Sequence, residues 1–143
     1  MTLFAKQSKT DAFGAKLTGW FIGAPLKMRR GEEGHWFIDI GTDWAIGTHQ
    51  WRLVGARSII VTSDDDGHQF DLPAPVDAEV SVNNAVAGSQ IAAVALDAST
   101  GDLTLSIGDA MRLELLTWSS AYEMWQLWRK EEFYGAVGNE GLR

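Results

Sequence analysis

Two stretches of the chain share one rhythm. "HWFIDIGTDWAIG" (35–47) and "DLTLSIGDAMRLE" (102–114) both place an apolar residue at every second position on either side of a short, glycine-led break. Period-two alternation marks a strand with one buried face, because successive side chains in an extended backbone point to opposite sides. A break of this length that opens on glycine suits a hairpin. Sliding the first stretch by 67 residues, from Trp36 to Leu103, lays Ile38 on Leu105, Ile40 on Ile107, Gly41 on Gly108, Trp44 on Met111 and Ile46 on Leu113. The acids do not follow: Asp39 and Asp43 fall on Ser106 and Ala110. The shared pattern therefore describes a scaffold, and its Trp and Ile positions describe a core.

The match extends outward. Downstream, "QWRLV" (50–54) parallels "MWQLW" (124–128), the second copy following a longer loop, "TWSSAYE" (117–123). Upstream, "LTGWFIGAPL" parallels "VAGSQIAAVAL", with Gly19 set against Gly88 and Ile22 against Ile91. These matches predict two repeated β-meander units of about four strands each, over residues 17–54 and 85–128. Helix is sparse. The clearest candidate lies near 76–87, where Ala78, Val82, Ala85 and Val86 share one helical face, Asp77 offers a cap and Gly88 a stop. A shorter helix over Asp11–Leu17 would match it in the first half. Between the halves, "TSDDDGHQFDLPAPVD" (62–77) combines Asp-Gly with two prolines that cannot sit in a central strand, and reads as an acidic connector. The expected fold is a single α+β domain spanning 1–143, mostly antiparallel β, with one or two short helices.

Composition narrows the function. A chain of 143 residues that is 45% hydrophobic can bury a core without covalent staples. It has no cysteine, which rules out disulfides and thiolate metal sites and fits a reducing compartment. The opening "MTLFAKQSKTDAFG" has no apolar leader core, and no apolar run approaches a membrane span, so a cytoplasmic protein is expected. The net charge is −7 and unevenly spread. Between Arg57 and Arg112 there is no Lys or Arg, while nine acids fall there, from Asp64 to Asp109. A segment of that sign repels nucleic acid and favours a cationic partner. "GWFIGAPLKMRRG" is basic and aromatic, but nucleic-acid binders carry an overall positive excess that this chain lacks.

Signatures of chemistry are missing. There is no Gly-x-Gly-x-x-Gly, no phosphate-binding Walker loop, no Gly-x-Ser-x-Gly elbow and no cysteine nucleophile. His35, His49 and His68 show no metal-binding spacing. "DDDGH" (64–68) superficially resembles a calcium loop. However, its acids are consecutive rather than alternate, and the twelfth position from Asp64 is Pro75 where Glu is required. No metal and no cofactor is expected. The aromatics are mostly core candidates, with Trp51 and Trp125 at equivalent Trp-x-Leu sites. Trp118, Tyr122 and Trp128 are harder to bury together, and Trp and Tyr are favoured anchors of interfaces.

With "WRLVGARSIIVTSDDDG" and "LTLSIGDAMRLELLTWSSAYEMWQLW", the chain resembles small bacterial proteins that carry a "WRL" element after a hairpin and a "YE-x-WQL" element near the C-terminus. Some of these accompany polymorphic or contact-dependent toxins and are treated as immunity proteins. The resemblance spans roughly Gly19 to Leu127. It carries over Trp51, Arg52, Leu53, Tyr122, Glu123, Trp125, Gln126 and Leu127 as framework positions, with no catalytic residue. Together with the missing catalytic signatures and the one-sided acid run, it leads to the expectation of a non-enzymatic protein that occludes a cationic toxin domain through a protein–protein interface. Asp64, Asp65, Asp66 and Asp71 are expected to steer the encounter, with Trp118 and Tyr122 as anchors. Two other readings remain open: a small-molecule binder or enzyme with a pocket between the half-sheets, and a structural module that pairs as a homodimer.

Overall fold

The computed structural model describes residues 3–119, 122–138 and 141–142. Helix α1 (Leu3–Phe21) leads into β1 (Leu26–Arg30), β2 (Trp36–Ile40), β3 (Trp44–Thr48), β4 (Trp51–Val54) and β5 (Ile59–Thr62). A 3-10 turn at Ser63–Asp65 and a loop connect to α2 (Ala78–Val86). Strands β6 (Ile91–Leu96), β7 (Leu103–Ile107), β8 (Met111–Leu115), β9 (Glu123–Arg129), β10 (Glu132–Gly138) and β11 (Gly141–Leu142) follow. The expected class, mostly antiparallel β with one or two helices, is what the chain adopts: every strand pairing among the described residues is antiparallel.

The alternating stretches become the centres of two sheets. One runs β1-β2-β3-β9-β10-β11 and the other β5-β4-β8-β7-β6. Their registers agree position for position. Trp36 pairs with Thr48, Ile38 with Ile46 and Ile40 with Trp44; Leu103 pairs with Leu115, Leu105 with Leu113 and Ile107 with Met111. Each hairpin turns on a glycine at positive φ, Gly41 (59°) and Gly108 (58°), a conformation that strains any residue bearing a Cβ.

Three expectations about the elements need correction: the upstream alignment, the length of the first helix and the four-strand meander. The upstream match set Ile22 against Ile91, but Ile22 is exposed in the turn just after α1 while Ile91 is a buried strand residue. Strand register shows the equivalent of Ile91 to be Leu26: Leu26 faces Ile40 and Ile91 faces Ile107. The helix-terminating glycines that correspond are thus Gly23 and Gly88, each two residues beyond a helix. Secondly, the first helix is far longer than Asp11–Leu17, running from Leu3 to Phe21 through Gly14 and Gly19. Phe13, Leu17 and Phe21, spaced four apart, bury one stripe in the core and outweigh the roughly 1 kcal/mol that each interior glycine costs a helix. Gly14 also brings α1 close to β6, since a Cβ there would lie 3.8 Å from that of Leu96.

The fourth strand of each meander does not join its own sheet. β4 crosses to pair with β8, and β9 crosses back to pair with β3. The equivalent contacts are again in register: Trp51 faces Leu115 and Leu53 faces Leu113, while Trp125 faces Thr48 and Leu127 faces Ile46. Neither His49 nor Gln50 adopts the positive φ that a two-residue hairpin needs, so the chain passes over to the other sheet instead of folding back. Both sheets and both helices share one core. Trp36 meets Trp51 edge to face across it at 5.2 Å, and Phe13 of α1 stacks near Trp125 at 6.4 Å. Trp125 also satisfies its buried indole N–H on the Gly101 carbonyl at 2.8 Å.

Helix α2 seals the outer edge of the first sheet. Asn83 accepts from the Met28 N–H at 2.7 Å and donates to the Met28 carbonyl at 2.9 Å, so one side-chain amide takes the place of a neighbouring strand. Glu79 accepts the Arg30 N–H at 2.7 Å. An edge closed in this way offers no unpaired row to another chain.

Candidate binding surface

The acidic connector folds as a sequence of caps. Thr62 and Asp65 form a capping box around the 3-10 turn, Thr62 Oγ1 accepting from Asp65 N and Asp65 Oδ2 from Thr62 N. Asp66 accepts the Ala78 N–H at 2.9 Å, and Asp77 caps α2 by accepting from Val80 N at 3.1 Å. Arg30 reaches in from β1 and pairs with Asp66 at 2.8 Å and Asp77 at 2.9 Å. The Arg30 guanidinium and the Ala78 N–H hold the Asp66 carboxyl below the usual carboxylate range. For Asp77 the helix N–H of Val80 is the larger cause and Arg30 the second. Asp64 accepts from Gln50 Nε2 at 3.2 Å. The three consecutive carboxylates are thus separated into three different bonding roles and do not face one another as a bare triad.

The rest of the acid run behaves similarly. Asp97 accepts from the Ser99 hydroxyl and the Ser99 and Thr100 N–H groups, which lowers its pKa, and Asp102 accepts the Thr117 N–H at 2.7 Å. With Asp65, Asp66, Asp77 and Glu79, six of the nine acids therefore hold a backbone amide. A neutral N–H leaves the carboxylate charge in place. The segment remains anionic toward a distant partner, even though its acids also have structural work.

Both expected anchors are exposed. Trp118 is 65% and Tyr122 74% accessible. Their loop is tied at its base: Leu116 N donates to the Gln50 carbonyl at 2.8 Å, Thr117 N to Asp102, and Tyr122 N to Ser119 Oγ at 3.0 Å. Gln50 is the junction. Its carbonyl holds the base of the aromatic loop while its side chain holds Asp64. The structure thus joins Asp64 to Leu116 at the start of the aromatic loop, and Asp65 lies next to it in the capping box. Asp71 stands apart, on the exposed loop between the 3-10 turn and α2.

The carried-over framework positions divide. Trp51, Leu53, Trp125 and Leu127 are core. Arg52 lies on the outer face of the second sheet, with Glu114 at 3.0 Å and Arg112 sharing the same carboxylate. Trp128 is half-buried beside Phe133 at 5.2 Å. The space between the sheets, where a ligand pocket was one alternative, is filled by the shared core. A surface cleft of about 470 Å³ lies elsewhere, at the β2–β3 turn, lined by Lys27, Asp39, Trp44 and Lys130 among others. Trp44, expected in the core, is half-buried there between Trp20 (4.4 Å) and Tyr134 (5.4 Å). Among the described residues no cluster of three or more His, Asp or Glu groups is placed to hold a metal, and no helix is long and apolar enough to cross a membrane.

No family model, curated protein or solved structure matches the chain. The fold is therefore defined by its own geometry: two antiparallel sheets that exchange their fourth strands around a common core, with an aromatic loop and an acidic connector joined at Gln50.

Proposed function

We propose that this protein is a non-enzymatic binding module of the immunity type, acting in the cytoplasm to occlude a cationic toxin domain. The observation that carries the reading is the exposure of Trp118 and Tyr122 on a loop tied down at its base and linked through Gln50 to Asp64. Two large exposed rings are unfavourable in isolation. Covering roughly 100 Å² of each contributes about 2–3 kcal/mol apiece to an interface. The tied loop keeps the ordering cost of binding low, and the anionic segment beside it speeds encounter with a cation. Occlusion needs no reaction at this surface, only contact over a standard interface of roughly 1,600 Å².

The test is to sequence the flanking genes for a toxin domain of net positive charge and to co-express any such domain with this protein; flanking genes that encode none count against the reading. Wild-type protein is expected to restore growth and to copurify with the toxin. The double variant Trp118→Ser with Tyr122→Ser is expected to lose rescue while melting within about 2 °C of wild type, since neither ring is buried. Absence of rescue and of binding by the wild-type protein would overturn the reading.

A further inference from the structure

The loop between the 3-10 turn and α2 carries an expensive feature that the fold itself does not need. Its neck is closed by Gly67 N donating to the Val76 carbonyl and Val76 N to the His68 carbonyl, both at 2.8 Å. At its tip, Leu72 N donates to the Gln69 carbonyl at 2.8 Å, which makes Phe70 and Asp71 the two central residues of a tight turn. Both have positive φ, 45° and 60°. That is the geometry of a type I′ turn, whose favoured residues are Asn and Gly; an aromatic residue in its first central position is strained. The turn gains nothing in burial for this strain. Phe70 is 61% and Leu72 47% exposed. Three contacts keep the tip in place: Gln69 Nε2 donates to the Leu72 carbonyl at 2.8 Å, His68 stacks on Phe70 at 5.5 Å, and Pro73 and Pro75 restrict the return.

We infer that the Phe70–Leu72 tip is a second, preorganised anchor of the same interface, inserting Phe70 into an apolar pocket on a cationic protein domain. This inference rests on the proposed function and names a further part of its contact surface. The partner's chemistry follows from what surrounds the tip. Asp71 sits within the turn, the acidic run that contains it has no Lys or Arg of its own, and Arg30, which reaches in from β1, is taken up by Asp66 and Asp77. A pocket rimmed by Lys or Arg complements an aromatic ring flanked by carboxylate; an acidic partner would be repelled. Continuity with the first anchor runs through bonded neighbours. Gln50 holds the base of the Trp118 loop and Asp64, Asp65 follows Asp64, and the Asp65 carbonyl accepts His68 N at 3.0 Å, beside the stack on Phe70.

The strain supplies the decisive variant. Phe70→Asn with Asp71→Gly installs the favoured turn pair and removes the anchor. It is expected to raise the melting temperature by a few degrees and to weaken binding of the cationic toxin domain that the wild-type protein captures in the co-expression test, measured by calorimetry, on the order of thirtyfold. Asp71→Asn alone is expected to lower the association rate and its salt dependence while leaving dissociation nearly unchanged. Unchanged affinity in the Asn-Gly variant, with binding still lost in the Trp118/Tyr122 variant, would overturn the second anchor and leave the proposed function standing. Failure of wild-type protein to bind would overturn both.

Discussion

At the scale of single residues, Arg30 shows how one side chain can organise a surface. It connects the first sheet to the connector and to the cap of α2, through Asp66 and Asp77. Both carboxyls, and that of Asp97, have folded pKa values below the ordinary 3.8. Between the lowered folded values and the unfolded one, the unfolded chain binds more protons, so stability rises with pH in that window. The contribution is fully present above about pH 4 and is lost as pH falls through the folded values. Melting temperature followed from pH 6 to pH 2 is expected to drop at the acid end, and Arg30→Gln is expected to flatten that drop by raising Asp66 and Asp77 toward ordinary values. The sequence showed this region as a block of like charge. It could not show that six acids are amide acceptors, because the amides of residues as distant as Thr117 reach them only through the fold. Trp118 and Tyr122 were legible as candidates because the core had no room for every aromatic. Phe70 was not, although an isolated apolar residue between turn-forming residues and prolines was the available signal.

At the scale of elements, the paired strands of both hairpins and the helix capped by Asp77 follow directly from periodicity and capping chemistry. Strands β5 and β10 did not stand out. β5 is a short edge with two exposed isoleucines, and β10 is broken by a register shift between Phe133 and Gly135. Neither shows clean alternation. The clearest device that links two elements is the amide of Asn83 on the edge of β1. Asn83→Leu would keep a similar volume on α2 but leave the Met28 N–H and carbonyl without partners. Urea denaturation is expected to report a loss of about 1–3 kcal/mol, more than the substitution would cost on an exposed helix face. A loss under about 0.5 kcal/mol would mean that water satisfies this edge equally well.

At the scale of the whole molecule, the exchange of fourth strands makes each sheet a joint product of both halves. A fragment ending before the Gly67–Val76 loop would hold β3 without β9, and its complement would hold β8 without β4. Neither fragment is expected to melt cooperatively by circular dichroism, and a mixture of the two is expected to regain a single transition. A cooperative transition in either fragment alone would show that the halves are independent folding units. The exchange was not visible in the sequence, since β4 and β9 have the same alternation whichever sheet receives them.

The crossing strands also set an order of events during synthesis. By the time β1 to β3 have left the ribosome, the outer edge of β3 has no mate, and it must wait until residues 123–129 have been made. Through that interval the nascent chain carries an open, apolar strand edge of the kind that attracts aggregation and chaperones. Slow codons in the second half are therefore expected to lower the yield of folded protein by prolonging the exposure of β3, and fast ones to raise it.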